Sequence, residues 1–137
     1  MIRNKRLLPC ILSAGLLIFV LPSYSATTCN LKSKSDIDVI KSYIRCLDKV
    51  LDKTKQTQKI WIQKREFELT KIARDTSNNK ILAPFTQSIL DHEKYVSDSC
   101  KWRYLLKLPN ALDAAIEYKQ CEIKLIEQFT TALKKPI

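Results

Sequence analysis

The sequence predicts an all-α fold: a small disulfide-stapled helical bundle of three long helices, the first with a polar middle where it either protrudes or kinks into two. Three observations carry this expectation. Apolar residues recur at helical intervals in three segments. Four of the five cysteines lie beyond an N-terminal secretory segment. The one glycine of the 137-residue chain, Gly15, lies inside that segment. A domain without glycine has no default residue for left-handed turns, so tight hairpins and glycine-rich phosphate loops are disfavoured, and nucleotide-binding loops with them.

The N-terminus reads as an export signal. Arg3, Lys5 and Arg6 form a positive region, Leu7 to Leu21 is apolar, and Pro22 ends any helix before the small residues Ser23 and Ser25. Cleavage is expected after Ser25, which divides the chain into a signal peptide, 1–25, and one domain, 26–137. The apolar run is shorter than the ~20 residues a helix needs to cross a bilayer. Neither Leu-Pro-Cys at Cys10 nor Ala-Thr-Thr-Cys at Cys29 has the Leu-small-small run that precedes a lipid-modified cysteine. The expected product has no stable membrane anchor and is periplasmic or secreted. Its 21 basic and 14 acidic side chains give it a charge of +7, against +10 for the whole chain.

Helix one is expected from near Asp36, where Ser35-Asp36-Ile37-Asp38 has the spacing of a capping box and Ile37, Ile40, Ile44, Leu47 and Leu51 follow at helical intervals. The pattern weakens across Lys53 to Lys59 and resumes with Ile60, Trp61, Phe67, Leu69 and Ile72, until the turn signal Thr76 to Asn79. Helix two is expected from Pro84, carrying Phe85, Ile89, Val96, Cys100 and Tyr104 toward Leu108, with Pro109 as its stop. Asn110 and Asp113 give a second cap-like start. Leu112, Ala115, Ile116, Ile123, Ile126, Phe129 and Leu133 then form the stripe of helix three. At 1.5 Å per residue helix one is roughly 55 Å long and the others under 40 Å.

Export makes disulfides the default state, and Cys29, Cys46, Cys100 and Cys121 permit three pairings. An antiparallel hairpin across Pro109-Asn110 brings Cys100 level with Cys121. The segment before helix one has the reach to fold back from Cys29 to Cys46.

The chain carries little that points to catalysis. His92, the only histidine, lies between Asp91 and Glu93, but sequence neighbours on a helix point in different directions. A triad also needs a free nucleophile, and the thiols are expected to be oxidised. No second histidine or paired-cysteine motif completes a metal set around His92 and Cys100. The expectation is therefore no enzyme activity, no metal and no cofactor. Lys49, Lys53, Lys55, Lys59, Lys64 and Arg65 crowd the middle of helix one. Such a run is ordinarily a solvated face, and its other readings are an acidic protein or anionic envelope material; nucleic acid is not expected for an exported protein. Cys100-Lys101-Trp102-Arg103-Tyr104 is the other dense spot. Trp102 and Tyr104 cannot share a helical face, and Trp, Tyr and Arg are enriched where proteins bind partners.

An exported helical chain with a Cys-x16-Cys-Leu opening and a later cysteine pair across a hairpin resembles the LprI-like lysozyme inhibitor family of bacteria. In HEKYVSDSC, Tyr95 and the third cysteine match the family pattern, while Val96-Ser97 stand where Arg-Asp is usual. CEIKLIEQFTTAL keeps the spaced apolar residues through Leu133 without the usual arginine, and QKIWIQKREFEL carries a similar aromatic-basic run with no cysteine close behind. The resemblance implies binding to a host or rival lysozyme, or a related envelope role, for a protein with no catalysis of its own. The partner-binding candidates are Trp102, Arg103 and Tyr104 of the dense spot, with Tyr95. The alternative is a periplasmic immunity or interaction protein that neutralises a delivered toxin.

Overall fold

A computed structural model describes residues 29–33 and 35–137 of the protein. The signal-peptide and cleavage expectations, Arg3 to Ala26, lie outside these residues. Three helices are present among the described residues: α1, Ile37–Thr76; α2, Leu82–Leu106; and α3, Ala111–Leu133. A single 3-10 turn, Asn79–Ile81, leads into α2. Among the described residues there is no strand, and no helix is long and apolar enough to cross a membrane.

α1 begins at the expected place through a different cap. Asp36, with extended backbone, accepts from the amides of Asp38 at 2.9 Å and Val39 at 3.3 Å. Ser35 instead pairs with the hydroxyl of Ser33. The carboxylate satisfies two of the first orphan amides and places negative charge at the positive end of the helix. α1 then runs unbroken for 40 residues, about 60 Å at 1.5 Å per residue, so the polar middle does not divide it. It ends at Ser77, which takes left-handed backbone (φ 57°) and donates its amide to the Arg74 carbonyl. Glycine is the usual residue there, and in its absence a serine adopts the conformation.

α2 starts two residues before the expected Pro84, because the 3-10 turn feeds directly into Leu82 and leaves the proline in the first helical turn, where its missing N–H costs nothing. α3 has the expected Asn110 cap, whose side chain accepts from the Asp113 amide at 3.2 Å. The α2–α3 turn contains a cis Leu108–Pro109 peptide.

The contacts fix an up-down-up arrangement. Asp48 meets Lys119, Lys55 meets Glu122 and Arg65 meets Leu133, so α1 and α3 run in parallel. Tyr104 meets Tyr118, Cys100 meets Cys121 and His92 meets Phe129, so α2 runs antiparallel to α3. α3 is the central helix, packed along both others, while α1 and α2 touch each other little. The core is correspondingly thin: Leu51, Val96, Cys100, Cys121 and Ile126, with Tyr118, Ile123 and Leu125 against it. Because α3 is flanked on two sides, it buries a wide arc. Ala114 and Thr130 are buried beside Ile126 and Leu133, and the neighbouring Ala115 is only half-buried.

Both disulfides form as the helix geometry predicts. Cys29 joins Cys46 with Cα atoms 5.9 Å apart, and Cys100 joins Cys121 at 5.5 Å. The first ties the leading segment to α1; the second crosses the core between α2 and α3. Loops of this size are each worth about 3 kcal/mol in the chain-entropy account, a useful supplement for so thin a core. Such bridges are the mark of an oxidising compartment.

In the second half of α1, Ile60 and Phe67, where the apolar content of the helix resumes, do not face the core: they are 56% and 69% exposed, and Ile72 is also exposed. The residues α1 buries in this stretch are Arg65 and Ala73. Phe67 lies about 200° around the helix from Arg65, so it points away from α3.

Candidate functional site

The partner-binding candidates of α2 separate into two surfaces. Tyr95 and Trp102, seven residues apart, fall on the same side of the helix and are 58% and 50% exposed. Leu106, four residues beyond Trp102, extends that side and is more exposed still. The Arg103 guanidinium lies over the Trp102 ring, 4.2 Å from its centroid. This contact holds a cation against an exposed indole, and the charge draws on the negative face of the ring. Arg103 itself is half-buried.

Tyr104 turns the other way, toward α3, and meets Tyr118 edge-to-face with ring centroids 6.2 Å apart. These two rings, with Lys101, Ala115 and Lys119, line an open groove of about 300 Å³. Lys119 is ion-paired with Asp48 of α1, and Gln120, one residue on, donates to the Tyr43 hydroxyl at 2.8 Å. The groove therefore lies beside the α1–α3 seam, apart from Trp102. Tyr118 escaped the sequence reading because an isolated tyrosine on an amphipathic helix gives no signal of what faces it.

His92 stacks on Phe129, with ring centroids 4.1 Å apart and planes within 10°. Its Nε2 is buried without a hydrogen-bond partner. Burial lowers its pKa below the ordinary 6.5, and the neighbouring Glu93 opposes that shift. Asp91 accepts from the Gln87 amide instead of approaching the imidazole. Cys100 is held in its disulfide. Among the described residues no group of three His, Cys, Asp or Glu side chains stands close enough to hold a metal ion.

The basic run of α1 also divides. Arg65, expected on a solvated face, is 9% exposed. It donates from Nε to the Leu133 carbonyl at 3.2 Å, from Nη2 to the Leu133 and Lys135 carbonyls, the latter at 2.5 Å, and from Nη1 to Glu68 at 2.6 Å. The guanidinium thus caps the C-terminus of α3, where carbonyls lack intrahelical partners and the helix dipole favours a cation. Lys55 pairs with Glu122 at 3.4 Å, and Lys64 lies over the Trp61 ring at 4.5 Å. Lys49, Lys53 and Lys59 are exposed.

No protein-family model matches the chain, and no curated protein or solved structure matches it either.

Proposed function

We propose that this is a non-catalytic exported binding protein that engages a protein partner through α2, and that the partner is a lysozyme-like cell-wall hydrolase. The observation that carries the reading is the Arg103–Trp102 stack, half-exposed on a helix tied to its neighbour by the Cys100–Cys121 bridge. Arginine and tryptophan dominate the energetics of protein interfaces, and a helix tied to its neighbour by a disulfide loses little conformational freedom on binding. Tyr95 and Leu106 enlarge the same surface. A basic protein meets long-range repulsion from a basic lysozyme, which slows association. The Arg103 guanidinium offsets this locally if it pairs with the two carboxylates a glycoside hydrolase uses.

Residual activity of several lysozyme classes, measured with the protein in micromolar excess, tests the proposal. Inhibition is expected, and Arg103→Ala and Trp102→Ala should each weaken it by at least about 1 kcal/mol, roughly fivefold, with helicity unchanged. Full lysozyme activity at that excess would sink the hydrolase reading and put toxin neutralisation in its place.

A further inference from the structure

From the outward face of α1 we infer a second docking surface, one that lies flat on an anionic phospholipid bilayer. Ile60, Lys64, Phe67, Lys71 and Arg74 follow one another at intervals of four and three residues, and Lys49 stands three turns earlier on the same line. At that spacing they form a single stripe. All six are exposed. From Lys49 to Arg74 the stripe is about 38 Å long at 1.5 Å per residue, on a helix without interruption.

Among the described residues the ion pairs of the bundle all lie off this stripe: Lys55 with Glu122, Arg65 with Glu68, Lys94 with Asp98, Lys107 with Glu117 and Lys119 with Asp48. Among the described residues, neither Lys49, Lys71 nor Arg74 takes part in an ion pair. On the helical wheel Asp52 and Glu66 fall to one side of the stripe and Glu68 and Asp75 to the other, so no carboxylate interrupts it. The complementary surface is negative along a straight line and accepts two apolar side chains, Ile60 and Phe67, near its middle. A bilayer of anionic lipid supplies both: headgroup phosphates for the cations and the acyl boundary for the isoleucine and phenylalanine. Two apolar side chains are too few for deep burial, so the association is reversible and salt-sensitive.

Flotation with vesicles tests this, using the protein as recovered from its host, its N-terminus recorded by mass spectrometry and shared by every variant. The vesicles are equal parts phosphatidylglycerol and phosphatidylcholine, compared with phosphatidylcholine alone. Partition onto the anionic vesicles should be at least about tenfold higher and should fall away by about 0.5 M salt. Joint replacement Lys49→Gln, Lys64→Gln, Lys71→Gln and Arg74→Gln should reduce it at least about tenfold with the circular dichroism unchanged. Ile60→Ser with Phe67→Ser should lower it at least about threefold while leaving the salt dependence in place. Trp102→Ala should float as the wild type does, which separates this surface from the α2 reading. Equal partition onto both vesicle types overturns the inference, as does undiminished binding of the four-glutamine variant. So does binding to soluble dextran sulfate as tight as to vesicles and indifferent to Ile60 and Phe67, which would mark a site for acidic polymers.

Discussion

Replacing Arg65 by alanine should destabilise the whole bundle, because this side chain closes the C-terminus of its central helix. The guanidinium is buried and satisfies the Leu133 carbonyl twice and the Lys135 carbonyl once. Alanine would leave those acceptors to whatever water can reach them. Hydrogen bonds from a charged donor contribute about 1.5–3 kcal/mol each, and a cation at a helix C-terminus about 0.3–1 kcal/mol. The bonds share one side chain and are not additive, so a total loss of about 3 kcal/mol is expected. For a domain near 110 residues that is a fall in Tm of roughly 12 °C. Arg65→Lys should lose about half as much, since an ammonium keeps the charge near the Leu133 carbonyl but lacks the planar fork that reaches two carbonyls together. Arg65→Met controls for the aliphatic stem, and should resemble alanine more than lysine. Urea denaturation followed by circular dichroism measures all three. A loss below about 1 kcal/mol for alanine, or a lysine variant no better than the methionine one, would refute the capping role.

Two further outcomes are expected. Ser77→Gly should stabilise the protein by about 0.5–1 kcal/mol and raise the Tm a few degrees, because glycine takes the left-handed backbone without a Cβ penalty; an unchanged or lower Tm would show that the position is not strained. His92 has its folded pKa lowered, so the fold favours the neutral imidazole. Its contribution is therefore present above the unfolded value near 6.5 and is lost as pH falls below it. Wild type should lose stability across that window more steeply than His92→Phe, which keeps a stacking ring without a titrating group, and parallel profiles would contradict the assignment.

The export expectation, the helical class and the caps rest on local physics, and local physics is what a linear sequence records. Asn110 and Asp113 bond within one turn, Pro109 cannot continue α2, and the apolar period of α3 needs no partner to be seen. The disulfide pairing was also within reach, because a hairpin turn makes positions equidistant from it meet. Arg65 and the outward pair Ile60 and Phe67 belong to the other kind of information. The six basic residues from Lys49 to Arg65 look alike along the chain, and only the register of α1 against α3 brings one of them to the end of a helix 68 residues away. That same register decides which arc of α1 is covered. α3 ends level with Arg65, and the polar middle of α1 stays helical without interruption. Tyr118 became a wall of the groove, and His92 a stacked ring, through contacts between helices. Hydrophobic period says that a helix buries one face, but how three helices of unequal length share their faces is settled only when they pack, because each buried arc is defined by the neighbour that covers it.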